Sequence, residues 1–232
     1  MKTNGYIIHE DAHRVIIATG FSRKSQNRKT GNMIQIWILV RSEDPIQAIQ
    51  SGRDRLICGN CPLRARKATK TRKGKKRACY VNVGQAPRGV WVKWRAGGYP
   101  TLPSLEVFRG RTVRFGAYGD PTHLPFALAQ QIAAISSGWT GYTHQWRKPS
   151  FQPWRTIVQA SVETEADKAL AESLGWSTFQ VIPKNSPKPS TGIECLSDSH
   201  GIQCHDCLKC NGTKTNPKSI WIEAHGSGAK YV

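Results

Sequence analysis

Seven cysteines are the residues of this chain whose spacing most directly implies chemistry. Cys195, Cys204, Cys207 and Cys210 read C-x8-C-x2-C-x2-C, and Cys58, Cys61 and Cys79 read C-x2-C-x17-C. Thiolates at short, regular intervals point to metal, and an odd number cannot be used up in internal disulfides. A single C-x2-C knuckle is common in zinc sites, where a second knuckle supplies the other ligands. Two such steps in succession suit a larger object, because a cubane presents separate iron corners to successive residues. The C-terminal set is therefore matched better to an iron–sulfur cluster, most naturally 4Fe-4S, than to zinc.

The C-x2-C-x2-C core is the spacing that bacterial-type ferredoxins use. It departs from theirs in placing the fourth cysteine, Cys195, upstream and in lacking a Cys-Pro ending. His205 and Asp206 inside the group keep a mixed-ligand zinc site open as the alternative. Three thiolates at Cys58, Cys61 and Cys79 form an incomplete set, which on a cubane leaves one iron free for a small molecule. The plainer readings are a zinc site completed by a histidine, or a cluster completed by a residue from elsewhere.

Acid–base candidates stand where predicted strands end. Asp120, Glu163, His144 and His225 occupy such positions, the carboxylates as acid/base groups and the histidines as proton carriers. Each has a structural rival. Asp120 before Pro121 is a turn residue, and Glu163 favours a helix N-terminus. No Walker loop, dinucleotide fingerprint or G-x-S-x-G elbow is present, which disfavours ordinary nucleotide hydrolysis and serine-hydrolase chemistry.

Charge is distributed unevenly around these groups. The net charge is +19; residues 1–111 hold 23 Lys and Arg against 6 acids, and residues 112–232 hold 11 against 9. The densest run spans 64–77: Arg64, Arg66, Lys67, Lys70, Arg72, Lys73, Lys75, Lys76 and Arg77, with no acid among them. Such a run cannot pack and is expected to be a mobile loop that meets nucleic acid. Trp91, Trp94 and Tyr99 among Lys93 and Arg95 either stack bases or form one buried helix face.

The elements that must position these residues follow from periodicity. Met33–Val40 is an apolar, branched run and predicts a buried strand, followed by a short helix at Pro45–Ser51. Strands are expected at Thr112–Ala117, Trp139–Gln145, Thr156–Ser161, Thr178–Ile182 and Ile220–Ala224. A helix from near Pro125 to Gly138 sets Leu128, Ile132 and Ile135 on one face. Another, capped by Thr164, sets Ala166, Ala169, Leu170 and Leu174 on one face before Gly175. A Pro/Lys linker at Ser186–Ser190 leads into the second cysteine group.

Alternation of this kind predicts an α/β fold: a partial or irregular (β/α) barrel-like parallel sheet with cysteine-rich metal-binding segments at both ends. The division is a basic region over 1–111 and a β/α core over 112–232, integrated as one domain. No run approaches the ~20 apolar residues of a membrane helix, and Met1–Glu10 lacks a secretory core, so a cytoplasmic protein is expected.

The order of βα units and cysteine groups resembles an uncharacterised, phage-borne family of cysteine-rich proteins, itself distantly similar to radical S-adenosylmethionine barrels. The residues that carry the resemblance are Cys58-Gly-Asn-Cys61-Pro, Cys79-Tyr80, Val113–Pro121, Gly141-Tyr-Thr-His144 and the final cysteine group with Ala224-His225-Gly226. The resemblance implies a barrel-like core, one three-cysteine cluster and one four-cysteine auxiliary cluster, in a host cytoplasm if phage-encoded. It also brings S-adenosylmethionine as a cofactor, against a clear departure. The usual C-x3-C-x2-C loop is replaced here by a third cysteine seventeen residues away, without a glycine-rich cofactor motif. The expected function is an iron–sulfur protein acting on or near nucleic acid, radical or redox in chemistry. A zinc-stabilised nucleic-acid-binding protein without catalysis is the alternative.

Overall fold

A computed structural model of the chain describes residues 3–23, 27–71, 73–214 and 219–232. Its centre is one nine-stranded sheet, ordered β1-β2-β3-β4-β5-β6-β7-β9-β8. The strands are β1 Gly5–Glu10, β2 Arg14–Thr19, β3 Ile34–Val40, β4 Thr112–Tyr118, β5 Gly138–Thr143, β6 Gln159–Val162, β7 Thr178–Ile182, β8 Ile193–Glu194 and β9 Ser219–Glu223. From β3 through β9 every neighbouring pair is parallel, and β8 adds to the far edge in the same sense. The sheet is not closed, because the two edges β1 and β8 are not paired with one another. The α/β class and the parallel core thus hold.

Helices fill the crossovers: α1 Pro45–Ser51, α2 Arg55–Cys58, α3 Ala86–Arg95, α4 Phe126–Ile135, α5 Glu165–Ser173, α6 Leu196–Ser199 and α7 Cys204–Cys207. Helix α1 begins on a capping box: Asp44 accepts from the Ile46 and Gln47 amides, and the Gln47 side chain returns to the Asp44 amide. The two longest crossovers, β3 to β4 and β7 to β9, carry the three-cysteine and four-cysteine groups respectively.

Strand alternation divides the side chains between two faces. Ile36, Val113, Phe115, Ala160 and Val162 join the main apolar core. Gln35, Trp37, Arg114, Tyr142, Phe179 and Ile222 turn the other way and line a cavity. That second face carries the chemistry.

Several expectations need correction. The edge hairpin β1–β2 has no counterpart in the sequence reading, although Asp11 marks its turn by accepting from the His13 and Arg14 amides, both at 2.8 Å. The strand expected at Thr156–Ser161 is β6, Gln159–Val162; Thr156 instead ends a 3-10 helix, Pro149–Thr156, whose Trp154 is buried. Helix α5 is capped by Thr164 as expected, but it is rotated. Its buried residues are Lys168 and Ala171, while Leu170 and Leu174 are 47% and 40% exposed. The cause is Lys168, whose Nζ reaches Thr191 Oγ1 at 2.6 Å and its carbonyl at 3.1 Å, so the aliphatic stem packs inward.

One glycine fixes the exit of β4. Gly119 has φ +81°, and a Cβ there would lie 2.7 Å from Ile38 Cβ and 2.9 Å from Ile38 O. The next amide, Asp120, donates to Ile57 O at 2.7 Å and ties the strand end to α2. Gly119→Ala is therefore expected to lower stability by about 2–4 kcal/mol in urea unfolding, from strain and overlap together.

Candidate metal and ligand site

The four-cysteine segment folds against the N-terminal ends of the parallel strands. The Cys195 amide donates to Trp221 O at 2.8 Å, and the Cys204 amide to Lys29 O at 2.7 Å, ahead of β3. The Gly141 amide donates to Cys210 O at 2.9 Å, and Gln159 Nε2 to Lys209 O at 3.3 Å, at the start of β6. Leu208, at φ 51°, turns the chain between Cys207 and Cys210. These contacts bring all four thiols to the wall of one small cavity, with Tyr142, Leu196 and Ile220 as its apolar lining. Cys195, Cys204 and Cys210 are buried and Cys207 is half-buried. Burial pushes the Cys204 thiol up, and Cys210 up to about 12.

The three-cysteine group stands at the opposite, C-terminal ends of the strands. Cys58 closes α2, Gly59 follows at φ 55°, and the Cys61 amide donates to Cys58 O at 3.1 Å. The Cys79 amide donates to Leu63 O at 3.0 Å, which brings the distant third thiol back beside the first two. All three line a cavity of about 110 Å³ together with Asp120 and His144. Burial holds the Cys58 thiol well above its usual range, with Cys61 and Cys79 adding to the effect. All seven cysteines are free thiols.

Among the described residues, no group of three or more His, Cys, Asp and Glu side chains is placed to hold one metal ion. A tetrahedral zinc draws its sulfurs to within about 3.8 Å of each other, given Zn–S bonds of ~2.3 Å. The thiols here share a cavity without being gathered on a point. Donor type and burial are those of a thiolate metal centre, but as they stand the thiols are not gathered around one ion and the four-thiol cavity is only about 20 Å³.

Asp120, His144 and Glu163 are brought together beside Cys61. Asp120 is buried and accepts from Thr122 N at 3.1 Å, Thr122 Oγ1 at 2.8 Å, Thr143 Oγ1 at 2.8 Å and His144 N at 3.0 Å. It therefore does the work of a turn and fixes the backbone of His144. His144 Nε2 lies 2.7 Å from Glu163 Oε1, and the ring also bonds Cys61. Burial alone would lower its pKa, but Cys61 and Glu163 reverse this and hold it well above the usual range. His225 is apart from this trio. Its ring packs 5.2 Å from Tyr80 on the wall of the larger cavity, and burial lowers its pKa.

The basic run is divided. Arg66, Lys67, Lys70, Lys73, Lys75 and Lys76 are exposed on an arm bridged at Arg66 and Lys75. Arg64 instead grips buried Asp54 through Nε at 2.9 Å, and Arg77 donates to Cys79 O at 2.9 Å. Both brace the three-cysteine loop. Arg72 lies outside the described residues. Trp91 and Trp94 share a face of α3, with Trp91 Nε1 bonded to Val40 O at 2.9 Å and Arg95 over both rings. Tyr99 is buried. These aromatics pack onto the protein, as the helix-face reading requires.

The residue that sequence reasoning missed is Arg114. It is 5% exposed, in mid-strand, and sits 4.2 Å over the Tyr142 ring. Its guanidinium donates to Thr140 Oγ1 and to the Tyr80 hydroxyl, each at 3.3 Å. It lines both the three-cysteine cavity and a larger one of about 300 Å³ that reaches Cys204. The signal for it was a lone charge between Val113 and Phe115 in a buried strand.

No family model, curated protein or solved structure matches this chain.

Proposed function

We propose that this protein is an iron–sulfur enzyme, radical or redox in chemistry, that acts on or near nucleic acid in the cytoplasm. The observation that carries the proposal is that two thiol sets face adjoining cavities from opposite ends of the same parallel strands, with Arg114 between them. Cys195, Cys204, Cys207 and Cys210 would hold a complete 4Fe-4S centre. Cys58, Cys61 and Cys79 would hold a second with one open corner, the place where a small ligand such as S-adenosylmethionine would bind. When bound, such centres supply single electrons at potentials set by burial and nearby charge. Seating a cluster requires the four-thiol loop to open, since its present cavity is only about 20 Å³. The phage-borne, radical-barrel kinship belongs to this proposal, as does a barrel-like curvature of the core.

The chain's own residues supply position. Arg64 and Arg77 hold the three-thiol loop against α2. Asp120 fixes His144, and Glu163 orients its ring toward Cys61. The exposed arm of Arg66, Lys67, Lys70, Lys73, Lys75 and Lys76 rises beside this mouth and would hold phosphates.

A second reading has its own observation. His144 beside Cys61, backed by the Glu163 carboxylate, is the arrangement of a histidine ligand with its orienting partner in a Cys3His zinc site. The three thiols and His144 would have to draw together on the ion, and the chain would then be a zinc-stabilised nucleic-acid-binding protein.

Metal analysis of oxygen-free protein separates the two. Visible charge-transfer absorption with about four irons and four sulfides per cluster is expected. Colourless protein carrying stoichiometric zinc and no iron contradicts the iron–sulfur reading. Nucleic-acid binding should weaken steeply with salt, each engaged phosphate of a duplex adding about −0.9 to the log–log slope. Exchanging the six exposed cations for glutamine should remove most of that slope; an unchanged slope would overturn the nucleic-acid part.

A further inference from the structure

The cavity of about 300 Å³ that Arg114 lines has an unusual imbalance of charge. Arg114 and Lys29 enter its wall, and no aspartate or glutamate does. Arg114 is buried, yet its partners Thr140, Tyr80 and Tyr142 are all neutral. A guanidinium carries five donors and keeps its charge when buried, so an unpaired one is costly and calls for an anion. Among the described residues, the acidic groups beside it are the Cys204 and Cys210 thiols and the Tyr80 and Tyr142 hydroxyls, and no aspartate or glutamate pairs with it.

The remaining wall mixes polar side chains, Gln35 and His225 among them, with a cluster of aromatic rings. Tyr142 stacks on Phe179 with ring centroids 4.1 Å apart, and Trp37 and Tyr80 complete an aromatic lining. A ligand that satisfies both features has a planar ring and a phosphate. The volume suits a single nucleotide and nothing much larger. The cavity also lies at the root of the basic arm, because Leu63 and Ala78, joined by a 3.0 Å backbone bond, line it on either side of that arm.

We propose that this cavity binds one nucleoside phosphate, with the phosphate on Arg114 and Lys29 and the base among Trp37, Tyr80, Tyr142 and Phe179. This deepens the nucleic-acid reading above by naming the unit that enters, either a free nucleotide or the end of a strand. Arg114 sets specificity through its bidentate fork, and the aromatic wall accepts the base.

The test uses the full chain purified without oxygen and follows quenching of tryptophan emission. Each of the four ribonucleoside 5′-monophosphates and its parent nucleoside is titrated. At least one monophosphate is expected to bind, about tenfold or more tighter than its nucleoside. Arg114→Gln is expected to erase that difference while leaving nucleoside affinity in place. A 5′-phosphorylated oligonucleotide that competes identifies a strand end as the source; one that does not identifies the free nucleotide. Glutamine substitution of the arm should leave monophosphate binding intact, so failure of strand binding through the arm is distinguishable from failure of the cavity. No binding of any monophosphate, or equal affinity for nucleoside and monophosphate, would overturn the assignment. The wild-type comparison stands even if Arg114→Gln does not fold, and Lys29→Gln then supplies the variant, expected to weaken the monophosphate alone.

Discussion

Cys210→Ser is expected to empty the four-thiol site and to lower the stability of the chain by about 4 kcal/mol or more. Little else holds this segment. The apolar cluster around it is small, comprising Phe179, Cys195, Cys210, Ile220 and Ile222. Its ties to the sheet are the two-residue pairing of β8 with β9, backbone bonds from Cys195 and Gly141, and the Gln159 side chain on Lys209 O. A bound centre would add to these ties, since ligands that bind the folded state alone add their binding energy to folding. The size of the effect separates a ligand from a buried thiol. If Cys210 merely packs, Cys210→Ala should cost only about 1–2 kcal/mol and leave metal content unchanged. Urea unfolding and iron analysis of both variants decide between these outcomes.

Asp120→Ala is expected to cost about 3 kcal/mol and to loosen the three-thiol site without altering the four-thiol one. Four donors converge on this carboxylate: two from Thr122, the Thr143 hydroxyl and the His144 amide. Buried donors left without an acceptor cost about 1–3 kcal/mol each, partly recovered by water entering the space. The His144 backbone then loses its anchor, and its ring loses alignment with Glu163 and Cys61. Asp120→Asn keeps one acceptor oxygen and should fall between wild type and alanine. Retention of full stability in the alanine variant would show that the turn is held by other bonds.

The sheet was legible wherever burial on both faces writes itself into one run. The seven residues of β3 are all buried and all but one apolar, and β7 and α1 likewise match their expected bounds. The β1–β2 hairpin was not legible because its strands are short and carry charges at the turn, Glu10 and Arg14 being themselves paired residues. Helix α5 was misoriented because the rule that apolar residues face inward ignores what a lysine stem can do. Lys168 found Thr191, and Leu170 was left outside.

The site divides in the same way. Cysteine spacing anticipated which thiols line a common cavity, because residues close in sequence need little help from the fold to meet. Asp120, His144 and Glu163 were found from their positions at strand ends, which a parallel sheet brings side by side. Their separate tasks were not visible, since these depend on who donates to whom. Arg114 carries no motif at all. Its meaning comes from Tyr80 and Tyr142, which only the fold brings to it.

Iron-edge anomalous diffraction from crystals grown without oxygen tests the central claim most directly. The account predicts a multi-iron peak bounded by the sulfurs of Cys195, Cys204, Cys207 and Cys210, and a second beside Cys58, Cys61 and Cys79. A lone zinc peak at either place, or thiols with no anomalous density between them, would contradict it.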